Sequence, residues 1–201
     1  VDRAVPEMRG ALVETLSVMV GAEALQLQRR HHFDPDEDAY MSIVAGKTAS
    51  LFRWALEAGG VLGGLSAEQQ ATLGGFGVSL GIAFQMVDDV LDLEGDPLLT
   101  GKSAFVDLRE GKLTWPLLLA AQRSAEIRDR LRHVASSHGE IDAEVAAETV
   151  QLVAKTGAIA DARAEAVAHG DVARSALARL PKGRANDALS TIVDAALGRK
   201  K

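Results

Sequence analysis

The sequence predicts an all-α protein, a single helical-bundle domain spanning residues 1–201. Three observations lead to the all-α class. Apolar residues recur at helical spacing along most of the chain. Alternating strand patterns are absent. Glycine- and proline-bearing breaks fall between the periodic stretches, where turns belong. Hydrophobic residues make up 47% of the chain but aromatics only 4%, so Leu, Ala and Val must build the core. A length of 201 residues suits one compact domain.

From Pro6 to about Arg30, the residues Leu12, Leu16, Met19, Val20 and Leu27 fall on one side of a first helix. The polar break FDPDED comes next, and its acids suit the first turn of a second helix over about 37–58. Tyr40, Ile43, Val44, Leu51 and Trp54 form its stripe, and GGVLGG ends it, because glycine weakens helix interiors. A third helix runs over about 67–93, with Leu73, Phe76, Leu80, Phe84, Val87 and Leu91 as its stripe. EGDPLLTGKSAFVDLREGK reads as a long loop, and loops of that length often carry function. Thr114 is placed to cap a helix that starts near Pro116, since proline suits a first turn. Further helices are expected over about 116–136, 141–156, 160–179 and 182–197.

Composition narrows the function classes. There is no Cys, which excludes disulfides and thiolate metal sites. The net charge of −6 argues against a nucleic-acid partner. Uninterrupted apolar runs fall short of the ~20 residues that span a bilayer, and VDRAVPEMRG lacks a signal-peptide layout. The expectation is a cytoplasmic protein without a transmembrane segment.

Polar residues in apolar places then mark a site. In FQMVDDVLD, with Gln85 set at zero, Asp88, Asp89 and Asp92 lie at roughly −60°, +40° and −20° around the helix. They form one acidic block at the edge of a buried stripe. Like charges one turn apart repel, and a divalent cation reverses that cost. Mg²⁺ prefers carboxylate oxygen and shares its shell with water and phosphates. The plain rival is a solvated acidic helix end.

The second helix carries Lys47 in the middle of its stripe, beside Thr48. Such a lysine needs a carboxylate or a bound anion, unless it snorkels to water. GKT resembles the end of a P-loop, but the required glycine position is Met41 and no strand precedes it. The first helix places Glu23 near the centre of its stripe, flanked by Gln26; Lys47 is a candidate partner for Glu23. Three helices thus aim polar groups inward, which is how bundles build metal and cofactor sites. Lys102 and Lys112 in the loop suit a phosphate ligand held between metal and ammonium. His31 and His32 read as surface residues.

These residues, in this order, resemble the trans-isoprenyl diphosphate synthases, or polyprenyl synthetases. The matching pieces are AEALQL, Tyr40 with KTASLF, GIAFQMVDDVLD, GDPLLTGK and DLREGKLTWPLL. The resemblance implies condensation of an allylic diphosphate with isopentenyl diphosphate, by way of an allylic cation, to a longer polyprenyl diphosphate, with Mg²⁺ as cofactor. It implies Asp88 as the main metal ligand, with Asp89 and Asp92 completing the site. Lys47 and Lys102 would hold the allylic diphosphate, with Lys112 in support. Thr48 and Gln85 would offer oxygens to the cation, with Gln26 behind them. The basic tail, Arg199 to Lys201, would help close the site. The family resemblance also suggests a homodimer.

Two departures accompany the match. Ala22 stands where the family usually has Gly. The family's earlier aspartate-rich motif is not found: before residue 34 the acids are Asp2, Glu7, Glu14 and Glu23, no two adjacent. The expectation is therefore a C-terminal portion of such an enzyme, inactive alone. Rival readings are a non-catalytic subunit of a heteromeric synthase, a terpene cyclase, and a helical structural protein.

Overall fold

A computed structural model describes residues 6–94, 106–136 and 143–199. Every regular element among them is helical. In order they are α1 (Pro6–Arg29), α2 (Glu37–Val44), a π-helical turn (Ala45–Ala49), α3 (Ser50–Leu62) and α4 (Ala67–Glu94). Then come a short turn of helix, α5 (Val106–Arg109), α6 (Trp115–Arg123), α7 (Ala125–Ser136), α8 (Ala143–Lys155), α9 (Ala158–Leu177) and α10 (Arg184–Leu197).

The long helix α4 is the axis of the bundle. It is buried on nearly all sides through its middle, from Leu73 to Leu93, and packs most extensively against α9 and α3. Two apolar clusters surround it. One gathers Phe76, Leu80, Leu177 and Val193 near its first half. The other gathers Met86, Val90, Leu117, Leu131 and Val153 toward its C-terminal half. Glycines let neighbours approach α4 closely. A Cβ on Gly81 would lie 2.7 Å from Ala49 Cα, and one on Gly77 would lie 2.8 Å from the Phe52 carbonyl. Because backbone cannot yield as a side chain does, Gly81→Ala should cost about 1–3 kcal/mol, read by urea unfolding.

Four expectations need correction. The stripe expected on α1 is not buried: Leu16, Val20 and Leu27 are exposed, and α1 packs through Ala22, which meets Gly46 without an intervening Cβ. By length and composition alone, that helix is also long and apolar enough to cross a membrane over Met8–Arg29, and little of it is buried. Reading only uninterrupted apolar runs misses it, because Arg9, Glu14 and Glu23 divide the helix.

The second helix does not end at GGVLGG. Gly59 and Gly60 lie inside α3, and Gly60 is buried against Gln70, Leu73 and Leu65. The chain turns later, at Gly63 and at Gly64, whose φ of 72° suits glycine. Upstream, the π-helical turn adds a residue to one turn and so rotates α3 about the helix axis relative to α2. Leu51 is thereby exposed, while Phe52 and Leu56 pack against the α4 cluster.

The region over 116–136 is two helices. Ser124 breaks it with extended backbone (φ −146°, ψ 121°), and its hydroxyl accepts from the Ile127 N–H, capping α7. Thr114 does occupy the N-cap position of α6, but its hydroxyl makes no capping bond there and is buried without a hydrogen-bond partner.

Candidate active site

A cavity of about 150 Å³ opens where the C-terminal end of α1, the π-helical turn, α4 and the N-terminus of α6 converge. Gln26, Lys47, Thr48, Gln85, Asp89 and Lys112 all line it. Six of the residues singled out from the sequence therefore meet in one place. Asp88 and Asp92 lie on the same helix but outside the cavity lining. Lys102 lies outside the described residues.

The π-helical turn places Lys47 and Thr48. Lys47 Nζ lies 2.5 Å from a Glu23 carboxylate oxygen and donates to Gln26 Oε1 at 2.7 Å. The pairing of Glu23 with Lys47 thus forms, and that hydrogen bond holds the Glu23 carboxyl below its ordinary range. Thr48 donates to Gln85 Oε1 at 3.1 Å across the contact between this turn and α4.

Lys112 faces the cavity from the connection before α6. It donates to Asp107 at 2.9 Å and lies 2.7 Å from Glu110. Burial pulls its pKa down, but these two carboxylates outweigh burial and raise it, so Lys112 is a cation. Gly111, with φ of 77°, makes the turn that presents it. The Gly111 carbonyl accepts from the His31 N–H at 2.9 Å, tying this turn to the end of α1. His31 and His32 are otherwise exposed, as expected.

The three aspartates do not share one environment. Asp88 is 50% exposed and 3.2 Å from Arg199, whose guanidinium lies 4.5 Å over the Phe84 ring. The C-terminal chain thus reaches the acidic end of α4; Lys200 and Lys201 lie outside the described residues. Asp92 is half-buried one turn further along. Asp89, by contrast, is 4% exposed and points into the bundle. Its Oδ2 accepts from the Tyr40 hydroxyl at 2.7 Å and from the Trp115 N–H at 2.9 Å, and its Oδ1 accepts from Gln85 Nε2 at 2.9 Å. The block inferred from helical angles is therefore split, with both Asp89 oxygens engaged by protein donors. Among the described residues, no group of three or more His, Asp or Glu side chains is gathered to hold a metal ion.

Asp89 takes the part expected of Thr114. The first N–H of α6 needs an acceptor, and a carboxylate at a helix N-terminus also meets the positive end of the helix dipole. Burial raises the Asp89 pKa to about 6, against the bonds from Gln85, Trp115 and Tyr40, which lower it. Burial, and then the Asp89 charge, push the Tyr40 hydroxyl well above its ordinary value, so it stays a donor. A carboxyl whose folded pKa is raised binds more protons folded than unfolded. Its contribution to stability is full below its unfolded value and is lost as pH rises through about 6. In chelator-treated protein, unfolding free energy should fall by roughly 2–3 kcal/mol from this group between pH 4 and 7. Asp89→Asn should flatten that part of the profile.

Tyr40 is the residue that sequence reasoning misplaces. Periodicity assigns it to an apolar stripe, yet a buried tyrosine hydroxyl requires a partner, and that requirement is the available signal. Its ring packs on Trp115 with centroids 4.7 Å apart. Arg29 and Asp36, paired at 2.8 Å, also line the cavity; the sequence pattern marks Asp36 only as a helix-start acid and does not single out Arg29.

Known proteins resemble this chain in sequence and fold. A family model for polyprenyl synthetases matches residues 3–153. The chain is 33% identical over 196 residues to a short chain isoprenyl diphosphate synthase of Methanothermobacter thermautotrophicus, covering 98% of this chain and 60% of that protein. It is 36% identical over 178 residues to an all-trans-nonaprenyl-diphosphate synthase of Rhodobacter capsulatus, covering 88% and 54%. A polyprenyl synthase from Caulobacter crescentus, solved with calcium and isoprenyl diphosphate, superposes with a TM-score of 0.86 at 33% identity, over 98% of this chain and 60% of that one. The chain thus spans little more than half the length of the relatives it matches. With its all-helical fold, the Lys47–Thr48 turn facing Gln85 and this match over most of its length, the chain belongs to the polyprenyl synthetase family.

Proposed function

We propose that this chain forms the diphosphate-binding half of a trans-prenyltransferase, which joins an allylic diphosphate to isopentenyl diphosphate and releases diphosphate. The observation that carries the reading is the meeting of Lys47, Thr48, Gln85 and Lys112 around one cavity. Lys47 and Lys112 supply cationic donors for phosphate oxygens. In this structure each is held by protein carboxylates. A diphosphate entering the cavity would take over some of those bonds. Thr48 and Gln85 supply oxygen atoms beside it, suited to a developing positive charge on carbon.

The residues present fit a hard divalent cation of the Mg²⁺ type. Asp88 and Asp92, one turn apart, offer oxygen donors, and Mg²⁺ needs only one or two carboxylates when phosphate and water fill its shell. Asp88 would be the principal holder and Asp92 the second. Such a cation supplies charge neutralisation of the departing diphosphate. The calcium and isoprenyl diphosphate in the Caulobacter relative support the same pairing of divalent ion and substrate. Arg199 beside Asp88 suits a C-terminal segment that closes over the same end of α4. The oligomeric state suggested by the family is a homodimer.

The reading is tested by calorimetric titration of the protein, expressed from its complete reading frame, with inorganic pyrophosphate in the presence of Mg²⁺. Lys47→Ala removes a charge-assisted bond worth about 1.5–3 kcal/mol, so affinity should fall roughly tenfold to a hundredfold. Unchanged affinity in that variant would remove Lys47 from the site.

A further inference from the structure

The Gln85 side chain sits between two neighbours, Thr48 and Asp89, that constrain its amide differently. A threonine hydroxyl both donates and accepts, so Thr48 alone does not decide which end faces it. Asp89 does decide. An ionised carboxylate accepts only, so the group 2.9 Å from its Oδ1 must be the Gln85 NH₂. Gln85 Oε1 then faces Thr48, and the Thr48 hydroxyl spends its proton on that oxygen at 3.1 Å. The remaining lone pairs of both oxygens are left for the cavity that Thr48 and Gln85 line.

Asp89 is itself held in place from behind, by the Tyr40 hydroxyl and the first N–H of α6. We propose that Asp89 is a positioning residue that sets the direction of this hydrogen-bond relay, so that the cavity meets oxygen lone pairs rather than N–H and O–H groups. The relay makes the cavity selective for cationic over neutral ligands of the same shape. This rests on the reading of the cavity as a site for a diphosphate whose organic part becomes cationic. It departs from the metal-ligand role that the family resemblance implied for Asp89.

The relay has a distinctive mutational signature. In Asp89→Asn the new side chain keeps one acceptor oxygen, which must serve Tyr40 and the Trp115 N–H. Its NH₂ therefore faces Gln85. The Gln85 amide has to turn over, its NH₂ then donates to Thr48, and the Thr48 proton is pushed toward the cavity. Adding Gln85→Glu to that variant restores an acceptor-only group at 85 and returns the relay to its original direction.

Two readouts on the complete protein test this. The first is binding of dimethylaminoethyl diphosphate, whose amine is a tertiary ammonium at neutral pH, against isoamyl diphosphate, its isostere with an uncharged alkyl part. The ratio of the two affinities cancels the diphosphate contribution. Wild type should prefer the cation by roughly tenfold, as expected for a hydrogen bond to a charged group. The preference should vanish or invert in Asp89→Asn and return in the Asp89→Asn/Gln85→Glu double variant, with all three proteins melting cooperatively. Retained preference in Asp89→Asn, or a folded double variant that does not regain it, overturns the proposal. The second readout is nuclear Overhauser contact between the Gln85 side-chain NH₂ and the Trp115 backbone N–H. It should be present in wild type and lost in Asp89→Asn, where the NH₂ should instead contact Thr48. If wild type already shows the Thr48 contact, the relay is wrong whatever binds. If neither diphosphate binds wild type, the proposed substrate class fails, and the second readout alone decides the relay.

Discussion

Asp88→Ala in the complete protein is expected to lower turnover at saturating substrates by roughly a hundredfold or more while leaving the fold intact. In the proposed role as a metal-holding carboxylate, its loss would remove several kcal/mol of leaving-group stabilisation, and each 1.36 kcal/mol is about a factor of ten in rate. The structural cost is small by comparison. Asp88 is 50% exposed, and its contact with Arg199 is an open ion pair at 3.2 Å, worth about 0–1 kcal/mol. Steady-state kinetics beside a thermal melt separates the two effects. Near-normal turnover would show that the acidic end of α4 is only a solvated helix terminus.

The largest stability effect is expected at Phe76. Its side chain is 0% exposed and packs with Leu73, Leu80, Leu177 and Val193 where α4, α9 and α10 meet. Phe76→Ala deletes a ring from a closed cluster and leaves a cavity, which costs about 3–5 kcal/mol. For a domain of this size that is a drop of roughly 10 °C in melting temperature. Phe76 lies nine residues before Gln85, about two and a half turns of α4 away. Ligand affinity at the cavity should therefore hold below the melting transition. A loss under 1 kcal/mol in denaturant unfolding would mean that this half of the bundle does not pack as described.

Much of the fold was legible because helical periodicity is a local property. The ends of α1, α4, α8, α9 and α10 fall within a few residues of their expected places. The pairing of Glu23 with Lys47 was legible for a related reason: each is a charge inside an apolar stripe, and each requires a partner. What the sequence concealed depends on tertiary contact. The π-helical turn has no sequence signature in AGKTA. It becomes intelligible only once Gly46 meets Ala22 and Gly81 meets Ala49 on either side of it.

Asp89 shows the limit most clearly. Helical angles placed it with Asp88 and Asp92, but an angle describes one helix in isolation. The burial of Asp89 is decided by α2 and α6, which bring Tyr40 and the Trp115 N–H to it from 49 and 26 residues away in sequence. The break at Ser124 was within reach, since a serine before AEI is a ready helix cap. The apolar stripe of α1 misled because periodicity identifies a face without identifying what covers it.

The central claim is that the cavity between the Lys47–Thr48 turn and Gln85 serves prenyl chain elongation. The most direct measurement incubates the complete protein with an allylic diphosphate, labelled isopentenyl diphosphate and Mg²⁺, and identifies the labelled product by chromatography. The account predicts a longer polyprenyl diphosphate with release of inorganic diphosphate. A cyclic hydrocarbon, or elongation that appears only when a second synthase subunit is added, would contradict it.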